Sequence, residues 1–327
     1  MTSDPDPSPE LGDTPRGDDS PVRSGLAAAV ARRRGGTPPP SGAVDDVAEW
    51  LVPARDAPWA ARVRPPGTLL LGGHESRGPV VEVAGDDRPL LVTSVGNVLG
   101  RSGRTTLDVL PVTYGASRDR DGRLVEVGPA RAAAHREALL QVELADDPDR
   151  GAEGRDAEAL LAEVRSMLGL LVRVTDDHEA MRSRLTAVAV ALEEVAGADA
   201  AAVGAGGESG TDEVADAAAT LRWLLEGNGV LLGIGRRSAD GSVPDDAPPD
   251  LGLGPSSGGG SSVAADTATP LVVTRTGEMS PVHRRGPVLR LVVGLPGTDE
   301  VEDLAWVVAR RADGAPLASA PPLRRKI

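Results

Sequence analysis

The stretch Pro79-Val80-Val81-Glu82-Val83-Ala84-Gly85-Asp86-Asp87-Arg88-Pro89-Leu90-Leu91-Val92-Thr93-Ser94-Val95 decides the fold. Pro79–Ala84 is β-branched and alternating, which predicts a strand. Gly85–Pro89 is a turn, and aspartate ahead of proline is a helix-start signal. Leu90, Leu91, Ser94, Val95, Val98 and Leu99 then recur at helical spacing, up to Gly100 and Gly103. Thr106–Thr113 alternates again, Arg120-Asp121-Gly122 is a hairpin signal, Arg123–Val127 returns, and Ala138–Leu144 is a further strand. Strand, helix and three strands in that order predict an α+β sandwich with helices on one sheet face.

Upstream, residues 1–43 are rich in Pro, Asp, Ser and Gly without an apolar period, which predicts a disordered tail. Leu26–Arg34 has helical character, with no evident surface to bury it. Val44, Val47, Ala48 and Leu51 form an amphipathic stripe that ends before Pro53, so the first domain is expected over 44–150. Downstream, Leu161, Val164, Leu168 and Leu171, then Met181, Leu185, Val188, Leu192 and Val195, predict a helical connector over 151–196. It reads as an antiparallel pair or a long broken helix, with Asp176 and Glu179 as a capping box. A Gly-rich linker is expected over 197–210, followed by a second α/β domain over 211–315. That domain opens with a helix carrying Val214, Ala218, Leu221 and Leu224, stopped by Gly227-Asn228-Gly229. Val230–Ile234, Leu271–Arg275, Val288–Leu295 and Asp303–Arg311 read as strands, 242–269 as a disordered loop, and 316–327 as a frayed tail. Proteolysis is then expected to remove 1–43 and 242–269 and to leave pieces near 60–200 and 210–315.

Composition narrows the chemistry. Of 327 residues, 35 are Lys or Arg and 49 are Asp or Glu, a net charge of −14, which argues against nucleic acid or an anionic membrane as partner. Cysteine is absent, so disulfides, thiol nucleophiles and zinc–thiolate sites are excluded. Phe is absent and Tyr114 is the single tyrosine, which removes stacking platforms for bases. Lysine occurs once, at Lys326, so no P-loop or Schiff-base site is available elsewhere. No apolar run is long enough to span a bilayer, and the expected location is the cytoplasm.

Three motif-like strings have bland readings. Gly254-Pro255-Ser256-Ser257-Gly258 matches the nucleophile elbow as text, but Gly, Pro and Ser flank it instead of a strand and a helix. Val203–Gly210 is out of step with a dinucleotide loop and follows alanines. Asp176-Asp177-His178-Glu179 contains metal-ligand types, yet neighbours on a helix diverge, so the acids read as helix N-terminal charge. No catalytic residue, cofactor or metal site is therefore expected.

Asp87-Arg88-Pro89-Leu90-Leu91, opening a helix after a strand, resembles the D-R-P-G-L-L-like run of ACT domains, many of which bind amino acids. Leu90 stands where that run has glycine. Pro79–Val95 further resembles the N-terminal region of the large bacterial NAD-dependent glutamate dehydrogenases, which reads like HTVVEVVTDDMPFLVDSV. In the same order follow Asp108–Val112, the Asp119–Gly122 turn, Glu137–Leu144, Leu221-Arg222-Trp223-Leu224 with Gly227-Asn228, Leu232-Gly233 and Ser280-Pro281-Val282-His283-Arg284. The family's aromatics are replaced, for example by Leu139, Gly229, Leu231 and Ile234.

The resemblance implies an ACT-like (ferredoxin-like) sandwich, a helical connector and a PAS-like α/β domain. It covers only the regulatory part of that family, whose catalytic centre uses lysines. The expected function is a non-catalytic regulatory or assembly module. The alternatives are a subunit completed by a separate dehydrogenase chain and a diverged paralogue acting as an interaction protein. An amino-acid ligand would use Asp87, Arg88 and Pro89, or His283 and Arg284. Asp87 either caps the helix or leaves its N–H groups to a carboxylate. A homo-oligomer or a separate dehydrogenase chain is the expected partner.

Overall fold

The computed structural model describes residues 20–147, 155–203, 210–238, 240–254, 271–280, 282 and 287–309. The chain divides into two compact units: Met1–Asp87 with Thr106–Ala157, and Arg88–Thr105 with Glu158–Ile327.

The first unit holds α1 (Pro21–Arg33), α2 (Ser41–Leu51), β1 (Trp59–Arg64), β2 (Val80–Asp86), β3 (Thr106–Arg118), β4 (Leu124–Gly128) and β5 (Arg136–Leu144). Its sheet is antiparallel throughout, in the order β1-β2-β5-β3-β4. Since β2 and β3 both oppose β5, they run parallel to each other. Parallel strands need a crossover, and the helix Leu91–Arg101, α3, supplies it. β2, α3 and β3 thus form a split βαβ unit, with β5 between its two strands, in a mixed α/β domain.

One face of this sheet carries α1 and α2. Val22, Leu26, Ala29 and Val30 join Val44, Val47 and Leu51 in one core with Ala84, Val112, Tyr114, Leu124, Val127 and Leu139. The expected α2 stripe is the buried one. The expected disordered tail is corrected for residues 20–43, because α1 is folded and buries Leu26 and Val30 completely. A Cβ on Gly25 would lie 1.8 Å from the Val127 carbonyl oxygen, so α1 seats backbone to backbone on β4. Residues 1–19 lie outside the described residues.

The second unit takes α3 together with α4 (Arg155–Asp176), α5 (His178–Val203), α6 (Gly210–Trp223), β6 (Gly229–Ser238), β7 (Leu251–Gly252), β8 (Leu271–Met279), β9 (Pro287–Gly294) and β10 (Glu300–Val308). Its sheet is also antiparallel, in the order β7-β6-β10-β9-β8. Met181, Leu185, Val188 and Leu192 of α5 and Ala218 and Leu221 of α6 pack on Leu231, Ile234, Leu291, Leu304 and Trp306. The expected connector over 151–196 is thereby corrected, since its second half is part of this core.

Of the two helical alternatives, the broken helix holds: Asp177 alone separates α4 from α5, and α5 packs on α6. The linker expected over 197–210 is shortened, because α5 continues to Val203; 204–209 lie outside the described residues. Gly227 (φ 90°) ends α6 as expected, and Asn228 Nδ2 donates to the Trp223 carbonyl at 2.9 Å. The loop expected over 242–269 is corrected in its first half, where Leu251–Gly252 pairs with β6 and Asp250 accepts from Arg237 at 2.6 Å. The rest of that loop from 255, most of the elbow-like string and the tail 316–327 lie outside the described residues. No described helix is long and apolar enough to cross a membrane.

Candidate functional site

The β2–α3 junction is where the sequence concentrates its candidate residues. β2 runs on to Asp86, and the Asp87 N–H still donates to the Arg136 carbonyl at 3.0 Å. Leu90 takes the N-cap position of α3 at φ 69°, ψ −3°. It is the one non-glycine with positive φ among the described residues. Glycine enters that region freely, whereas a side chain there costs roughly 1–2 kcal/mol. The expected Asp87 cap is not formed. No side chain caps α3, and the Asp87 carboxylate lies 3.6 Å from the Arg136 guanidinium. The reason is register: with Leu90 as N-cap, Asp87 is still paired as an extension of the strand.

Arg88 turns to the last turn of α4. Its Nη1 donates to Thr175 Oγ1 at 2.8 Å and to the Asp176 carboxylate, and its side chain is only 17% exposed. A cation at a helix C-terminus is favoured by the helix dipole. Pro89 is exposed. The capping box expected from Asp176 is also corrected. α5 begins at His178, so Asp177 precedes it, and Asp177 Oδ2 accepts the Gly252 N–H at 2.7 Å. His283 and Arg284 lie outside the described residues, but the motif that contains them meets α3. The buried Ser94 hydroxyl donates to the Val282 carbonyl at 2.5 Å. Two motifs nearly two hundred residues apart are thus joined by one buried hydrogen bond.

Sequence reasoning missed a second group, on the face of the first sheet that α1 and α2 cover. Glu82, Glu137, Gln141 and Glu143 are all buried there. Glu137 Oε1 accepts from Arg55 Nη2 and Arg118 Nε, both at 2.6 Å, and Oε2 accepts from Arg118 Nη2 and the Tyr114 hydroxyl, both at 3.0 Å. Burial pushes the Glu137 carboxyl up, but the Arg118 hydrogen bonds and the Arg55 and Arg118 charges outweigh it and hold it below the ordinary range. Burial, then the charge of Glu137, pushes the Tyr114 phenol well up, so it remains a proton donor. Glu82 pairs with Arg62 and accepts from Gln141 Nε2 at 2.7 Å, while Gln141 Oε1 accepts the Leu71 N–H at 3.0 Å. Glu143 accepts the Arg77 N–H at 2.8 Å and lies 3.1 Å from His74 Nε2. In the sequence these are the polar positions of alternating strands, which read as a solvent face. The available signal was the set of arginines at 55, 62, 77 and 118.

The chemistry of these groups is structural. Each of these buried carboxylates accepts from cations, amides or hydroxyls, and those of Glu137 and Glu143 are held below the ordinary range, opposite to the raised pKa that general acid–base work requires. Among the described residues no group of three or more His, Asp or Glu is placed to hold a metal. An open cleft of about 560 Å³ lies against Arg101, Ser102, Glu163, Ser166, Met167 and Leu170, and Glu163 there accepts from the Ser102 hydroxyl at 2.5 Å.

Residues 52–164 match the family model of the glutamate dehydrogenase ACT1 domain. That range begins just after α2 and contains the whole first sheet, α3 and the start of α4. Over 180 residues the chain is 29% identical to the NAD-specific glutamate dehydrogenase of Mycobacterium tuberculosis (strain ATCC 25618 / H37Rv), covering 54% of this chain. The chain spans about 10% of that relative's length. The two findings support an N-terminal region of the NAD-dependent glutamate dehydrogenase family, the resemblance that the motifs carry.

Proposed function

We propose that the chain is a non-catalytic regulatory or assembly module, built from an ACT-like domain and a PAS-like second domain. The observation that carries this reading is the ACT1 match laid over a β2–α3 junction whose arginine is held by the protein's own α4. Numbered from β6, the second sheet has the strand order 2-1-5-4-3, with its first and last strands adjacent at the centre, which supports the PAS-like reading. The single lysine and the saturated buried carboxylates support a role without turnover.

An amino-acid ligand at Asp87, Arg88 and Pro89 competes with Asp176 for the Arg88 guanidinium, so it binds weakly and Arg88→Ala weakens it further. Purified chain with glutamate and NAD is expected to form no NADH, measured by absorbance. It is expected to be a homo-oligomer by light scattering. Turnover above background that survives repurification overturns the reading. The match to a whole dehydrogenase, of which this chain spans a tenth, favours a second reading: a subunit completed by a separate catalytic chain. Activity appearing only on mixing with such a chain distinguishes it.

A further inference from the structure

Asp176 and Asp177 are consecutive, and each carboxylate is held by a different part of the second unit. Asp176 takes Arg88, two residues ahead of the Leu90 N-cap of α3. Asp177 takes the Gly252 N–H of β7 at 2.7 Å. The break between α4 and α5 has no slack. The Asp177 N–H donates back to the Arg173 carbonyl at 3.0 Å, and the Asp177 carbonyl accepts from the Met181 N–H at 2.8 Å. A rotation that frees one carboxylate therefore moves the other.

Both far ends are closely fitted. At the junction, Leu90 sits in a left-handed conformation, and four residues on Ser94 is tied to Val282. At β7, Gly252 has φ 62°, and a Cβ there would lie 2.3 Å from the Leu232 carbonyl oxygen. The next residue, Leu253, donates its N–H to that same carbonyl at 2.8 Å. Each end thus has one seat instead of a range of positions.

We propose that the Asp176–Asp177 pair is a coupling device. The Arg88 clasp and the Gly252 clasp are made and broken together, so the start of α3 and the β7 edge of the second sheet report on each other. The inference does not depend on the regulatory reading. Thermodynamic linkage makes it reciprocal.

Hydrogen exchange on the full chain tests it, with Arg88→Ala, Asp176→Asn and Asp177→Ala compared with the parent. Glu163→Gln, which alters only the Ser102 contact on α3, is the control. Breaking the Arg88 clasp is expected to speed exchange at residues 88–95 and also at Gly252 and Leu253, by about fivefold or more. Asp177→Ala is expected to do the same at 88–95. Asp176→Asn keeps the side-chain shape and serves where Arg88→Ala does not fold. Exchange changes confined to the side of the substituted clasp overturn the proposal. So does an equal rise throughout α6 and β9, which marks general loosening.

Discussion

Leu90 and Glu137 are the residues at which local physics is most exposed. Leu90→Gly and Leu90→Ala both remove the half-buried side chain, but only glycine relieves the left-handed backbone. The glycine variant is expected to be the more stable of the two by about 1 kcal/mol in urea denaturation. Glu137→Gln leaves the Arg55 and Arg118 guanidinia, 14% and 16% exposed, without their counter-charge. Removing one partner of a buried ion pair costs about 3–5 kcal/mol. Tyr114→Phe removes one donor and leaves both arginines, so it is expected to cost about 1.5 kcal/mol. The folded Glu137 carboxyl titrates below its unfolded value of 4.5. Its contribution is therefore complete above that pH and is lost as the pH falls through the lowered folded value. Urea midpoints measured from neutral pH downward are expected to show an acid-side loss that Glu137→Gln flattens. None of this was legible in Ala138–Leu144, where alternation marks Gln141 and Glu143 as an outward face. Their burial depends on arginines far away in the chain, and no local pattern reports that.

Among the elements, strong period made for legibility and close backbone contact defeated it. β2, α3 and β5 came through because Val and Leu recur in them at fixed spacing. β1 was missed because Trp59-Ala60-Ala61-Arg62 has no β-branched run; it is held by pairing with β2, with Trp59 opposite Gly85. A Cβ on Gly85 would lie 2.4 Å from the Trp59 ring, so the indole covers a gap that the glycine leaves. α1 was read as tail because its apolar stripe is weak, and its seat depends on Gly25. Gly25→Ala drives a methyl group into β4 and is expected to cost about 1–3 kcal/mol. Hydrogen exchange checks this: the Leu26 and Val30 amides are expected to be protected in the parent and to lose protection in the variant. β3 manages its edge similarly, by local chemistry. β4 pairs with β3 only from Gly115 onward, which leaves the first half of the strand as an edge. There the Val109 N–H is taken by Asp108 Oδ1 at 2.8 Å, and Pro111, two residues on, has none to offer. Beside them Leu107 and Val109 are 38% exposed. Asp108→Ala with Pro111→Val opens this edge, and concentration-dependent self-association in sedimentation velocity is the expected result.

For the whole molecule, the order of elements was legible but their allegiance was not. The chain enters the second unit at Arg88, returns at Thr106, and leaves the first again after Ala157. Cuts near 200 and 210, suggested by glycine content, would separate α5 from α6 although both pack on one core. A cut before α4 respects that core yet still removes residues 88–105 from the unit with which they group. Ser94, Val95 and Leu99 have no exposure, and Val98 almost none. A fragment of residues 155–309 thus lacks the hydrogen bond to Val282 and the cation at the end of α4. It keeps the sheet, α5, α6 and the edge-to-face pair of Trp223 and Trp306, whose ring centroids are 6.2 Å apart. The expected outcome is a compact, loosely packed fragment: near-native far-ultraviolet circular dichroism, a weakened near-ultraviolet signal from the two tryptophans, and dye binding to exposed apolar surface. Adding residues 88–105 back through a Gly/Ser-rich linker ahead of residue 155 is expected to restore the near-ultraviolet signal. A fragment that already melts cooperatively, with the same tryptophan signal as the fragment carrying residues 88–105, would show that α3 is dispensable to the second core.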